Sequence, residues 1–173
     1  MSESNARGPL PFLRGGVSQI ALVVPDLEAA AESYWSQFGI GPWHFYTYGK
    51  GVLRRMSYGG KPADYRMRIA LAWAGSTRIE LIQMEQGETV YADFVRKHGY
   101  GLHHLGVLVE DMETALRQAK AAGLRVAMDG AGFGLDGDGQ YAYLDTEEML
   151  GTTIELIQRP KRRRPPEKVF PAD

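Results

Sequence analysis

The chain has 173 residues, of which 44% are hydrophobic and 24% are charged, and this composition is typical of a single soluble globular domain. Its formal net charge of −1 gives no field that would attract nucleic acid or an anionic membrane, so we expect neither as a partner. The absence of cysteine excludes disulfides and thiolate metal sites, and no apolar run suits a signal sequence or a membrane span, so we expect a cytoplasmic protein.

The first half reads as a strand, a helix and further strands. Asp26 is a plausible helix N-cap after Pro25, apolar residues then recur at three- and four-residue spacing, and Gly39 is a typical helix end. A glycine-rich turn at Gly59-Gly60 separates the later elements. The predicted elements are a strand at 17–24, a helix at 27–38, an aromatic segment at 43–48 and strands at about 65–74 and 77–84.

The second half repeats this plan after a short linker helix that ends at Gly99. Five glycines and three aspartates between Asp129 and Gly139 predict a mobile loop. The basic, proline-rich residues from Arg159 to Asp173 predict a poorly ordered end. The predicted elements are a helix within 89–98, a strand at 102–109, a helix at 112–122 and strands near 124–127, 140–145 and 152–158.

A repeated heptapeptide identifies the chain as a tandem duplication. Thr77–Gln83 and Thr152–Gln158 differ at one residue, and Val17–Leu27 also lines up with Leu102–Met112. We therefore expect two βαβββ modules with connecting segments. The boundaries are 1–15 for a flexible N-terminal segment, 16–84 for the first module, 85–100 for a linker helix, 101–160 for the second module and 161–173 for a basic, proline-rich tail.

Four residues able to ligate a metal fall at equivalent positions of the two modules, because Gln19 pairs with His104 and Glu80 with Glu155. Each glutamate interrupts an apolar strand, where a buried carboxylate is costly unless it is paired or bound to a metal. The two glutamates therefore predict a metal site. The alternative is that both of them lie on a solvated sheet face. His103 is expected to point to the face opposite His104, as a structural histidine.

In these motifs the chain resembles the vicinal oxygen chelate superfamily, which includes glyoxalase I, methylmalonyl-CoA epimerase, extradiol dioxygenases and some antibiotic-binding proteins. The resemblance covers residues 16–160 and implies an α+β fold, in which tandem βαβββ modules form a U-shaped mixed sheet around a cleft. It also implies one divalent metal ion (zinc, cobalt, nickel, manganese or magnesium) held by Gln19, Glu80, His104 and Glu155. Gln19 stands where dioxygenases have their first histidine, which argues against dioxygenase chemistry.

Sequence features outside these four positions are most similar to methylmalonyl-CoA epimerases, namely Asp93–His104 and Ile154–Gln158. The ligand set itself matches glyoxalase I. The resemblance therefore implies a metal-dependent isomerase, similar to methylmalonyl-CoA epimerase, that abstracts a proton next to a carbonyl. The alternatives are a lactoylglutathione lyase of the glyoxalase I type and a non-catalytic protein that binds an aromatic or antibiotic ligand.

For the epimerase-like reaction we expect Glu155 to act as the base and Glu80 to deliver the proton to the other face. The expected substrate is a small carbonyl compound such as an acyl-CoA, contacted by Trp43, Tyr48 and Arg68. Residues 65–74 contain no acid, although an epimerase uses a second glutamate there, and we could place no basic residue at the cleft for glutathione. Because members of the superfamily commonly dimerise, we expect a homodimer.

Overall fold

A computed structural model describes residues 9–172, and within them one eleven-stranded sheet is flanked by helices. A short 3-10 helix, Phe12–Gly15, precedes it. The strands are β1 Gln19–Val23, β2 Trp43–Tyr48, β3 Arg55–Tyr58, β4 Lys61–Pro62, β5 Arg66–Ala74, β6 Thr77–Gln86, β7 Gly101–Leu108, β8 Val126–Phe133, β9 Gly139–Leu144, β10 Thr153–Gln158 and β11 Lys168–Phe170. The helices are α1 Leu27–Phe38, α2 Val90–His98, α3 Met112–Ala121 and α4 Glu147–Leu150.

The strand order repeats within the sheet. It runs β11-β2-β5-β6-β1-β7-β10-β9-β8-β3-β4, so β2-β5-β6-β1 of the first half mirrors β8-β9-β10-β7 of the second. In each half the first and last strands pair in parallel, and the two halves join through the antiparallel pair β1 and β7. The predicted α+β fold of tandem βαβββ modules in a mixed sheet is confirmed.

The two main helices begin in the same way. Asp26 Oδ1 accepts a hydrogen bond from the amide of Ala29 at the start of α1, and Asp111 Oδ1 accepts one from Thr114 at the start of α3. Both helices bury apolar residues in separate clusters. A third, tyrosine-rich cluster, around Tyr141 among others, lies along the cleft. None of the helices in the described part of the chain has the length and apolarity needed to cross a bilayer.

The loop predicted for Asp129–Gly139 was wrong in part, because β8 continues to Phe133 and pairs with β9, so that only residues 134–138 lie between the two strands. Gly130 explains the error. A Cβ atom at this position would lie 2.3 Å from the hydroxyl oxygen of Tyr141, so glycine is needed for close packing rather than for flexibility. The hairpin of β3 and β4 was not predicted. Its strand β3 pairs with β8, so these two strands of the first half extend the sheet at the edge of the second half.

The prediction of a poorly ordered C-terminal end was also wrong. Strand β11 pairs antiparallel with β2, and Glu167 accepts hydrogen bonds from the amide and the hydroxyl of Thr47. The tail therefore returns across the first half and belongs to the sheet. At the other end, residues 1–8 of the predicted flexible segment lie outside the described residues, while Phe12 packs against the core of the second half.

We expect Phe170→Ala to lower the free energy of unfolding by about 1–3 kcal/mol, because Phe170 packs against the cluster that contains Trp43. Val169→Ala is the matched control in the same strand. Its side chain is exposed, so the change should be within about 0.5 kcal/mol. Urea unfolding of both variants tests whether the tail is anchored, and equal stabilities would contradict this description.

Candidate metal centre

Three ionisable side chains from neighbouring strands meet beside the seam between the two halves. Ala21 of β1 pairs with Glu80 on one side and with His104 on the other, and Glu155 enters from β10. His104 Nε2 lies 3.0 Å from Glu155 Oε2 and 3.4 Å from Glu80 Oε2. All three residues are buried, so the alternative of a solvated sheet face does not hold.

This group has the donor set of a divalent metal site. One imidazole nitrogen and two carboxylate oxygens lie within 4.8 Å of one another. His104 Nε2 is buried without a hydrogen-bond partner among the described residues, although it faces both carboxylates. An unsatisfied buried nitrogen beside two buried anions is costly unless a cation binds them. Glu80, His104 and Glu155 could therefore hold a metal ion such as zinc or manganese.

In the metal-free protein the same group retains a proton. Burial lowers the pKa of His104, but the carboxylates of Glu155 and Glu80 raise it further, to about 9. Burial raises the pKa of Glu80, and the nearby negative charge of Glu155 adds to this effect. The proton thus replaces part of the positive charge that a metal would supply, and a metal would have to displace it.

His103 lies on the same side as His104, so the prediction of opposite faces was wrong. Ala21 pairs with His104 but Leu22 pairs with Leu102, which makes His103 an extra residue in β7 at a β-bulge. The two Nδ1 atoms are 2.9 Å apart. Burial and the neighbouring His104 lower the pKa of His103 to about 2. A neutral His103 can accept the Nδ1 proton of His104, which leaves His104 Nε2 facing the carboxylates.

Gln19 lies beside the group, with its amide nitrogen toward the carboxylates. Its Nε2 donates to Glu80 Oε2 at 2.8 Å and to Glu155 Oε2 at 3.1 Å. Its Oε1 accepts from Nε of Arg78 at 2.7 Å. To ligate a metal through Oε1, the amide of Gln19 would have to turn, and its hydrogen bond from Arg78 would break. After the turn, the NH2 group of Gln19 would face the Nε–H of Arg78, and two donors cannot form a hydrogen bond.

Of the three residues predicted to contact the substrate, one lines the cleft and two do not. Tyr48 lines the cleft together with Glu80. Trp43 does not, because it is fully buried on the other side of the sheet, in the cluster that α1 covers. Arg68 does not either, because its guanidinium hydrogen-bonds the carboxylate of Glu28 in α1. The aromatic and basic pattern of the sequence therefore did not distinguish the two faces of the sheet.

The cleft contains three arginines that sequence reasoning missed: Arg78, Arg159 and Arg163. Arg78 could have been found, since alternation in β6 places it on the same face as Glu80. The other two follow the last strand of the second module, and only the return of the tail brings Arg163 to the cleft. We call Glu80, His104 and Glu155 the metal group. The cavity beside it holds about 40 Å³, and a neighbouring cavity of about 310 Å³ shares Tyr48, Phe133 and Arg163 with it.

Comparison with known proteins agrees with this architecture. Residues 18–143 match the family model described as the Glyoxalase/Bleomycin resistance protein/Dioxygenase superfamily. An ethylmalonyl-CoA/methylmalonyl-CoA epimerase of Cereibacter sphaeroides is 27% identical over 146 residues, which cover 83% of this chain and 98% of the relative. The mitochondrial methylmalonyl-CoA epimerase of Bos taurus is 25% identical over 162 residues, covering 91% of this chain and 82% of the relative.

Solved structures share the fold at lower identity. A variant methylmalonyl-CoA epimerase of Streptomyces coelicolor in complex with 2-nitronate-propionyl-CoA has a TM-score of 0.63 and 19% identity, covering 86% of this chain and 97% of that chain. The methylmalonyl-CoA epimerase of Mycobacterium tuberculosis has a TM-score of 0.59 and 23% identity, covering 84% and 89%. At these identities the likeness establishes the fold.

We expect Gly106→Ala to weaken divalent metal binding by at least about tenfold, because the new methyl group would overpack the site. Its Cβ would lie 2.8 Å from Ile157 Cδ1, 2.9 Å from Gln19 Cβ and 3.2 Å from Glu155 Oε2. Gly15→Ala is the control, since nothing lies within 4 Å of its Cβ position. Competition with a chromogenic chelator measures the affinity, and an unchanged affinity in Gly106→Ala would argue against metal binding beside this glycine.

The free energy of unfolding of the metal-free protein should fall as the pH rises. Because the pKa of His104 is raised to about 9, the stabilisation is complete below its unfolded pKa and is lost as the pH passes through about 9. The raised pKa of Glu80 acts in the same direction. Urea unfolding of chelator-treated protein between about pH 6.5 and pH 10 tests this. His104→Gln should flatten the slope, and equal slopes in both proteins would contradict the assignment.

Proposed function

Because the chain belongs to the Glyoxalase/Bleomycin resistance protein/Dioxygenase superfamily, we propose that it is a metal-dependent isomerase of the epimerase type. It would remove a proton from the carbon next to a carbonyl and return it to the other face. One observation carries this proposal: two buried carboxylates from the two halves, Glu80 and Glu155, flank one imidazole in a cleft that contains no other acid among the described residues.

The proposed ligands of the metal are Glu80, His104 and Glu155, with Gln19 as a fourth if its amide turns. The ion would be zinc, cobalt, nickel, manganese or magnesium, since one imidazole with oxygen ligands suits a Lewis acid. When bound, it polarises the substrate carbonyl and stabilises the negative charge that develops on its oxygen. His103 would hold the ring of His104 in the ligating tautomer through the contact between their Nδ1 atoms.

Glu155 and Glu80 are the proposed bases. They approach from β10 and β6, on opposite sides of the pair β1 and β7, which suits proton removal on one face of the substrate and delivery on the other. Burial raises the pKa of Glu80 in the metal-free protein, and a bound metal would oppose this rise, so the proposed role of Glu80 in returning the proton rests on its position. The surrounding apolar and tyrosine side chains of the cleft would exclude bulk water from the reacting carbon.

An acyl-CoA is the proposed class of substrate, with Tyr48 as a contact. The relatives are named as epimerases of methylmalonyl-CoA and ethylmalonyl-CoA, which supports this class. The small cavity beside the metal group suits a short acyl group, and the neighbouring cavity offers room for the beginning of the longer thioester arm. A homodimer and a cytoplasmic location stay predictions.

A lactoylglutathione lyase of the glyoxalase I type is the second candidate. Two observations favour it: the four polar residues of the site, Gln19, Glu80, His104 and Glu155, and the basic side chains at the cleft, which glutathione carboxylates would need. A non-catalytic binding protein is the remaining alternative. It would bind an aromatic ligand without a metal and without exchanging carbon-bound protons.

The test is deuterium entry into methylmalonyl-CoA in heavy water, followed by mass spectrometry with metal-loaded protein. We expect Glu155→Gln to slow this exchange by at least about 100-fold, because general base catalysis commonly contributes that much. Glu148→Gln is the control, since Glu148 is exposed in α4 and its loss should change the rate by less than about twofold.

Metal content is measured on the same preparations, so loss of the ion and loss of the base can be separated. Fully metal-loaded wild-type protein that exchanges no deuterium would contradict the epimerase proposal. Turnover of a glutathione hemithioacetal by that preparation would then favour the lyase. Tight binding of an aromatic ligand without any metal would favour the binding protein.

A further inference from the structure

Three guanidinium groups converge on the cleft from different parts of the chain. Arg78 comes from β6, Arg159 directly follows β10, and Arg163 lies in the tail that leads to β11. All three line the cavity that also contains Glu80 and Glu155, and all three line a second cavity that shares Leu71 with the first. The metal group and the arginines therefore share one binding space.

None of these three arginines forms a salt bridge within residues 9–172, in contrast to their neighbour Arg162, which pairs with Asp136. Arg78 donates to the neutral amide of Gln19. Arg159 lies over the ring of Trp73 and Arg163 over the ring of Tyr46, at 5.9 Å and 5.6 Å.

The carboxylates facing this space do not neutralise the cluster. Glu80 and Glu155 are engaged with His104 and would be occupied by the metal. Glu167, in the neighbouring cavity, accepts two hydrogen bonds from Thr47. Like charges held together without counter-ions repel one another, and an anion placed between them is stabilised.

We propose that Arg78, Arg159 and Arg163 bind a carboxylate of the substrate, next to the carbonyl that the metal group would hold. This inference deepens the proposed function and rests on it for the position of that carbonyl. The substrate class is thereby narrowed to carbonyl compounds that also carry a carboxylate. Guanidinium groups suit this role because their planar N–H donors can bind carboxylate oxygens in pairs.

A carboxylate fits this place better than a phosphate of coenzyme A. Arg78 is only 7% exposed, and a single residue, Gln19, lies between its guanidinium and the carboxylates of the metal group. The cavity at this depth holds about 40 Å³, which suits a small anionic group close to the reacting carbon. The phosphates of an acyl-CoA lie at the far end of a long arm.

The proposal also assigns a role to the tail. Strand β11 and Glu167 anchor it on one side of Arg163, and the pair of Arg162 with Asp136 anchors it on the other. Arg163 is therefore held at the cleft by an ordered segment. The cleft of the two modules would be incomplete for anion binding without residues beyond the second module.

The test is isothermal titration of the full-length, metal-loaded protein with malonate, a small dicarboxylate probe. We expect Arg163→Gln and Arg159→Gln each to weaken malonate binding by at least about tenfold, since each removes charge-assisted hydrogen bonds. Lys161→Gln is the matched control. Lys161 is exposed in the same tail and lines neither cavity, so this variant removes one positive charge outside the cleft and should change binding by less than about twofold.

Two further measurements show which groups of the protein bind malonate and whether the arginines prefer a carboxylate or a phosphate. If malonate binds only by chelating the metal, Glu155→Gln will abolish binding while Arg163→Gln leaves it unchanged, and the proposal falls. If free coenzyme A loses affinity in Arg163→Gln while malonate does not, the arginines bind phosphate and the carboxylate assignment is overturned. Malonate binding that depends on Arg163, in a protein that exchanges no deuterium, would keep the anion site and refute the epimerase reaction.

Discussion

Two carboxylates buried around one imidazole impose the central constraint on this protein. Glu80 and Glu155 cannot both stay ionised in an apolar environment unless a positive charge lies between them. A proton on His104 supplies that charge in the metal-free chain, and a divalent ion would supply it more fully. The surrounding features serve this arrangement: the close contact at Gly106, the bulge that brings His103 to His104, and the packed tyrosines behind them.

Duplication explains how the group is assembled. Each half contributes its first and last strands as a parallel pair, and the antiparallel pairing of β1 with β7 brings the two pairs together. The two glutamates at the same place in each repeat, Glu80 and Glu155, therefore reach the site from opposite sides of the pair β1 and β7. Unequal partners, Gln19 in one half and His104 in the other, give the site one neutral amide and one imidazole. The shared fold hosts many chemistries, so we expect these side chains and the arginines of the cleft to decide the activity.

The sequence was sufficient for what depends on local pattern. Alternation and the internal repeats predicted the modules, placed Glu80 and Glu155 at equivalent strand positions and paired Gln19 with His104. Sequence reasoning failed where pairing with other strands decides the position of a residue. The bulge at His103 depends on register with β1, and the need for glycine at position 130 depends on the ring of its partner Tyr141 in the neighbouring strand β9. The return of the tail, which brings Arg163 to the cleft, depends on pairing with the far edge of the first half.

Anomalous X-ray diffraction from crystals grown with zinc or manganese tests the central claim most directly. The account predicts a single strong peak between His104 Nε2 and the facing oxygens of Glu80 and Glu155, with the amide of Gln19 either turned toward the ion or still bonded to Arg78. A crystal without a peak at this position, with the His104 ring still between the two carboxylates, would contradict the account. The cluster would then be a buried ion pair with a shared proton.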